Sequence, residues 1–388
     1  MRARSYLILV LAAASAPLWA QFSSGSTGSD GALNLTAPGT VTLDPNTLPH
    51  SCANNVCNFT SINIGANTTV VLTSQLWRNA SVVWLSQGDV TVSGAIKADG
   101  NAGATMNQSN PGLVRFPAAP GPGGFPGGVG GYLGQPAQPG AGFGGGAAGS
   151  AGSAGQQGIY SYYNLQLTPL VGGSGGGGGD QGTGLAGGNG GGGGGALRIV
   201  SATSITVDGA ITSLGGATGF PLGNAAFAGV GSGGVIHLIA PSVGGAGTLN
   251  THTGSSGVTE ISSSNNTFPS PHVSGTYVAA GLYAPPLPSG TPSVQVTSVN
   301  GVNAPAHPAA DPMVPDVTIN SGTPVSVAIS AQNIPLNTTV TLYLTSENGP
   351  DSKITCGTLS GTIASSTATC TGVNFPSGVT ITNILAVW

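Results

Sequence analysis

Val83-Trp-Leu-Ser-Gln-Gly-Asp-Val-Thr-Val-Ser-Gly-Ala-Ile96 and Arg198-Ile-Val-Ser-Ala-Thr-Ser-Ile-Thr-Val-Asp-Gly-Ala-Ile211 are near-copies of one strand pair, identical at six of fourteen positions. Between them runs a glycine-rich tract, Asp99 to Ala196. A weaker third copy follows as Ile236-His-Leu-Ile-Ala-Pro-Ser-Val-Gly-Gly-Ala-Gly-Thr-Leu249. A strand pair that recurs around an insert predicts stacked coils, each burying the apolar face of the next. The expected fold is therefore all-β: a parallel β-helix or β-solenoid over 33–265 with a long Gly-rich insert at 99–196. The strands upstream, Thr60–Ile64, Thr69–Leu72, Val82–Leu85 and Val90–Val92, are short, alternating and separated by Gly, Asn and Ser turns, as this reading requires.

Composition narrows the rest. Charged residues make up 5% of the 388 and glycine supplies 68, which leaves too few Lys and Glu for the polar faces of amphipathic helices. Beyond Arg2 and Arg4, the basic residues Arg78, Lys97, Arg115, Arg198 and Lys353 are scattered. Nucleic-acid binding needs a patch that neutralises several phosphates, so that class is excluded.

Met1 to Ala20 has the three-part pattern of a secretory signal: basic Arg2 and Arg4, apolar Tyr6 to Ala14 and small Ala20 before the cut. Its apolar run is too short to span a bilayer, and no later run is long enough, so no membrane span is expected after its removal. Residues 21–32 read as a flexible Ser/Gly leader. Export puts the chain in an oxidising compartment, so Cys52 and Cys57 are expected to close a small disulfide loop; two sulfurs near His50 alone make a poor zinc set. The localisation implied is secreted, extracellular or cell-surface, with the periplasm as an alternative.

The tract itself leaves two outcomes open. Ordering glycine costs about 0.5–1 kcal/mol more per residue than ordering alanine, so a run such as Gly190–Gly195 either stays a flexible loop or packs as side-by-side polyproline-II-like chains. Its aromatic residues Phe116, Phe125, Tyr132 and Phe143 favour order. The apolar run Ile159 to Val171 reads as a strand pair or a clasp. Gly175–Gly184 is followed by neither Lys-Ser/Thr nor a helix, which rejects a phosphate loop.

Residues 266–292 read as a Pro/Ser-rich linker. From Ser293 the strands lengthen and Asn300-Gly301 marks a hairpin. Seven strands with turns every eight to twelve residues predict an immunoglobulin-like β-sandwich over 293–388. Cys356 and Cys370 would join adjacent strands through the Gly357–Ser366 hairpin, worth about 3 kcal/mol in the chain-entropy model.

Val82-Val-Trp-Leu85, Gly88-Asp-Val-Thr-Val-Ser-Gly94, the polyglycine, Gly231 to Pro241 and Thr338 to Gly349 together resemble a class of exported glycine-rich proteins of acidobacterial or myxobacterial type. The resemblance spans roughly 30–388. It implies export and a β-solenoid, and it carries no catalytic residues.

The candidate acids of the solenoid region are Asp89, Asp99, Asp180, Asp208 and Glu260. Glycosidic hydrolysis needs two carboxyls about 5–9.5 Å apart, yet Asp89 aligns with Ser204 and Asp208 with Ser93. Asp89 and Asp208 are the catalytic candidates, weighed against turn acids that cap their own backbone. His237 sits in a strand and reads as a face residue; His50, His252, His272 and His307 share no ligand spacing, so no metal and no cofactor are expected. Trp77, Arg78 and Trp84 would form a sugar-stacking platform if exposed. Three functions follow. The first is an exported non-enzymatic structural or adhesive protein with a cell-surface or extracellular polysaccharide or protein as partner. The second is a carbohydrate-active β-helix hydrolase or lyase, and the third a glycan-binding module.

Overall fold

The computed structural model describes residues 22–49, 52, 55–106, 111–161, 167–183, 185–284, 292–306, 308, 314–378 and 380–388. The expected signal segment, 1–20, lies outside them, as do His50 and His307.

The near-copies pair side by side in parallel. Val83 faces Arg198, Thr91 faces Thr206, and Ile96 faces Ile211. Around them the expected β-solenoid is corrected. Its strands do not separate into the independent faces of a parallel β-helix. Ten of them form one continuous parallel path: Asn265–Asn266, Ser242–Gly244, Ser204–Val207, Val90–Val92, Val56–Ile64, Val82–Ser86, Ala196–Ser201, Val235–Ile239, Val258–Ser262 and Thr276–Ala280. The path curls into a nearly closed barrel. The physical reason is Val56–Ile64, which is nine residues long. Its first half pairs with Val82–Ser86 and its second half with Val90–Val92, which joins two branches into one sheet. A second parallel sheet runs Val273–Ser274, Thr248–Asn250, Ala210–Thr212, Ala95–Lys97, Thr68–Val71, Gly39–Thr42.

Segments read as irregular are drawn into these sheets. Gly31–Leu35, which begins two residues inside the expected flexible leader, pairs in parallel with Val56–Ile64. Asp30 and Asn58 exchange hydrogen bonds of 2.8 and 2.6 Å. Thr276–Ala280, inside the expected linker, is the last strand of the long path.

Inside lies a core of Val, Ile and Leu with Phe59, Trp77 and Trp84; each such side chain is worth about 1.5–3 kcal/mol on burial. Val90–Val92 and Ser204–Val207 alternate between buried and half-exposed, as a one-faced strand should. Val82–Ser86, Ala196–Ser201, Val235–Ile239 and Val258–Ser262 are buried at every position. Their outer face, with Val83, Leu85, Val200 and Ile239, is covered by Leu167 and Leu170 from the glycine-rich tract. Of the described parts of the apolar run, 159–161 and 167–171, neither forms a strand, and the second acts as a clasp.

The tract is a packed layer. From Gly172 to Asp180 the backbone N–H groups turn to different neighbours in rotation. Gly173, Gly176 and Gly179 donate to Gly194, Gly191 and Gly188, whereas Gly172, Gly175 and Gly178 donate to Gly123, Ala141 and Gln138. Gly177 and Asp180 donate to Gln156 and Ser153. A repeat of three is that of the polyproline-II helix, which has no internal hydrogen bonds and must find them outside itself. None of the glycines in 172–179 or 187–195 has a positive φ. Their role is spatial: a Cβ on Gly176, Gly178, Gly190 or Gly191 would come within 3.0 Å of a neighbouring carbonyl.

The C-terminal strands form two antiparallel sheets around a shared core. The five-stranded sheet runs Val302–Asn303, Ser293–Val299, Val325–Gln332, Ser365–Val373, Ser360–Thr362, and the three-stranded one Ser352–Thr358, Thr339–Ser346, Thr382–Val387. This five-plus-three arrangement replaces the expected seven-stranded immunoglobulin-like sandwich. The Cys356–Cys370 disulfide links the two sheets instead of closing one hairpin, because the chain after Cys356 leaves its sheet to form Ser360–Thr362 against the other. The second disulfide, Cys52–Cys57, closes the predicted loop.

The sandwich docks on the glycine-rich layer through Arg115, which forms a 2.6 Å ion pair with Asp351, both nearly buried. Arg115 Nε also donates to Gly130 O at 2.9 Å. Replacing Arg115 by Met leaves Asp351 with neutral donors only, and should destabilise the docked state by about 2 kcal/mol, the worth of a charged hydrogen bond. The expected readout in small-angle scattering is a larger radius of gyration, absent in the R115M/D351N double variant.

Candidate functional site

The residues with the most perturbed chemistry gather on the outer face of the long sheet. Arg198, His237 and Glu260 occupy three adjacent parallel strands at matching positions, since Arg198 faces His237 and His237 faces Glu260. All three are buried. In the frame of the sequence repeats Arg198 would match Ile236, but the first strand of the third copy is offset by one residue. An offset of one exchanges the two faces of a strand, and here it puts His237 on the face that carries Arg198.

Arg198 Nε donates to His237 Nδ1 at 3.1 Å, and Arg198 Nη2 donates to Leu167 O at 2.8 Å. Ser262 Oγ donates to Glu260 Oε1 at 3.0 Å. Because Arg198 carries only donors, Nδ1 of His237 must accept. The ring proton therefore sits on Nε2, which points at Ser262 Oγ (3.3 Å) and Glu260 Oε1 (3.5 Å). Tyr283 closes the cluster with its ring 6.2 Å from that of His237.

Burial and the adjacent guanidinium both hold the His237 pKa well below its ordinary value, so the imidazole is neutral. Burial raises the Glu260 carboxyl, opposed by Ser262 and Arg198. Burial also lowers Arg198, offset by Tyr283 and Glu260, yet an arginine stays charged. Glu260 Oε2 has no hydrogen-bond partner.

Ser262, His237 and Glu260 together suggest a nucleophile triad, but the hydrogen bonds run the wrong way. A general base must accept the serine proton, whereas Nε2 of His237 already bears one and Ser262 donates to the acid. The cluster instead ties the Leu167 segment to the sheet. Sequence reading noticed Arg198, His237 and Glu260 singly and missed their meeting; the β-branched Val258, Thr259 and Ile261 were the available signal for the strand that completes it.

The predicted candidates lie elsewhere. Asp89 Oδ1 accepts from Thr203 Oγ1 (2.6 Å) and Ser204 Oγ (2.8 Å); these bonds lower its pKa. Asp208 Oδ1 accepts from Ala246 N, and Asp99 from Thr212 Oγ1 and Leu214 N. Each acid thus clasps the next repeat of the chain, where capping of its own turn was expected. Asp89→Asn is expected to cost under about 1 kcal/mol, because the carboxylate is exposed. The loss should vanish at acid pH, where the native carboxyl is protonated too, and urea titration at two pH values checks it.

Trp77 and Trp84 are each 0% exposed. Trp77 donates to Leu43 O, and Trp84 packs edge-on against Phe59. They are core residues and offer no face to a sugar. Arg78 is exposed in a turn beside them with φ at 53°. Among the described residues no three His, Cys, Asp or Glu side chains gather as a metal site, and no helix is long and apolar enough to cross a membrane. The two disulfides are compatible with an extracellular protein. No family model, curated protein or solved structure matches this chain.

Proposed function

We propose that this chain is an exported, non-enzymatic structural or adhesive protein of the cell surface or extracellular space, in which the stacked parallel sheets and the glycine layer form a rigid support. The observation that carries this reading is how the ionisable groups are spent. Arg198, His237 and Glu260 are sealed beneath Leu167 and Tyr283, and Asp89, Asp99 and Asp208 bind successive repeats together. One further feature supports it: both cysteine pairs are oxidised. A surface partner, polysaccharide or protein, follows from the same reading.

The test has two arms. The purified protein is incubated with a panel of polysaccharides and the products are analysed by size; the expected result is no cleavage. Cleavage abolished by Asp89→Asn or Asp208→Asn would overturn the proposal in favour of a hydrolase or lyase. In the second arm the protein is displayed on a cell that lacks it, and increased retention on polysaccharide- or protein-coated surfaces is expected.

A further inference from the structure

We propose that the cleft between the C-terminal sandwich and the glycine-rich layer is a binding site for a neutral sugar unit of a polysaccharide. This rests on the adhesive reading above and names its ligand class.

The cleft has a volume of about 260 Å³, below the roughly 300–1,000 Å³ of sites that enclose drug-sized ligands. That suits a sugar-sized group on a longer chain. One wall comes from the three-stranded sheet, whose Leu342 and Leu344 face the sandwich core and so turn Thr341 and Tyr343 outward into the cleft. The opposite wall comes from the glycine-rich layer with Phe125, Gln138 and Phe143. Trp388 closes the cleft against both phenyl rings, 6.3 Å from Phe125 and 5.9 Å from Phe143. Phe143 is 54% exposed. Large aromatic side chains gathered at an open cleft present apolar faces that water covers poorly.

Its polar groups are few and held in place. Gln138 Nε2 donates to Thr345 Oγ1 (3.2 Å) and Asp351 Oδ2 (3.3 Å), so both amide protons are committed and Oε1 is left to accept. The Thr341 hydroxyl and the Tyr343 phenol each both donate and accept. Among the described residues no charged side chain lines the cleft; Lys353 is held over the Tyr343 ring, 5.4 Å from its centre. Aromatic faces, hydroxyl-competent groups and uncharged lining side chains fit a molecule with an apolar C–H face and a rim of hydroxyls, which is a pyranose. An anionic ligand would lack a counter-charge there, and a wholly apolar one would strand the polar groups.

Trp388 also supplies the signal, because the other described tryptophans, Trp77 and Trp84, are buried. The experiment titrates the folded protein with cello-, xylo-, manno-, malto- and chito-tetraose, following tryptophan fluorescence and isothermal titration heat. At least one neutral glycan is expected to bind and to protect Trp388 from acrylamide quenching. Phe143→Ala, at an exposed position that should leave folding intact, is expected to weaken binding about tenfold, as removal of a contact aromatic does. Trp388→Ala should abolish the fluorescence response, and Phe220→Ala, which does not line the cleft, should leave affinity unchanged. Glycan binding that persists undiminished in Phe143→Ala and Trp388→Ala would overturn the cleft while leaving an adhesive protein. Binding of a proline-rich peptide instead, or of none of the five glycans, would overturn it as well. Retention on coated surfaces, measured separately, decides the adhesive reading itself.

Discussion

Gly191→Ala is expected to lower the melting temperature by about 6–12 °C, although it adds a single methyl group. The added carbon would overlap Gly216 O and crowd Ala217 O, which are backbone atoms with no rotamer to escape into. Gly191 N donates to Gly229 O while its own carbonyl accepts from Gly176, so the residue is held from two sides. Opening the layer would loosen both bonds. Overpacking of this kind costs about 1–3 kcal/mol, and the upper end applies where only backbone can move. At about 2–4 °C per kcal/mol for a unit of this size, the shift follows. Gly281→Ala is the control: it also removes a glycine, but nothing lies within 4 Å of its added carbon, so its melting temperature should not fall. Calorimetry of the two variants side by side decides whether the polyglycine is a close-packed layer. Equal melting temperatures would reject that packing.

Arg198→Met should be comparably severe. Truncating the guanidinium removes a positive charge that favours the Glu260 carboxylate, and takes the donor from His237 Nδ1 and from Leu167 O. Leaving a buried acceptor unpaired costs about 1–3 kcal/mol each time, and here two are left together. The first structural consequence is release of the Leu167–Val171 clasp, which amide exchange would report as lost protection in the sheet beneath it. His237 adds a pH dependence with a definite sign. Its folded pKa is depressed, so below about pH 6.5 the unfolded chain takes up a proton that the folded chain refuses, and stability falls as pH falls. Glu260 acts in the opposite direction. Its folded pKa is raised, so the folded chain binds its proton first and recovers stability as pH falls towards the ordinary carboxyl range. His237→Gln should therefore flatten the decline below pH 6.5, and Glu260→Gln should steepen it. Denaturation midpoints across pH 4–8 test both. An unchanged profile in His237→Gln would show that the imidazole is not buried neutral.

Local chemistry was legible before any coordinates. The parallel pairing of residues 83–96 with 198–211 follows from six shared side chains, and the two disulfides were expected from four cysteines in a chain read as exported. Polyglycine as close-packed extended chains was one of two readings the composition left open. The closure of the sheet was not legible, because it depends on Val56–Ile64 choosing two partners at once, and alternation along one strand does not say how many neighbours it has.

The site was hidden for a related reason. Trp77 and Trp84 looked like a platform because an aromatic residue in a strand reads the same whether its face is wet or dry. Arg198, His237 and Glu260 are 62 residues apart from first to last, and a one-residue offset between copies decides whether they share a face. The amino-acid sequence by itself determined that this chain makes short parallel strands, oxidises its cysteines and packs without bulky side chains, since those properties belong to residues and their near neighbours. Only the tertiary structure decided which strands close the sheet, which charges are buried together and where aromatic rings meet solvent, since those depend on register and on what covers each face.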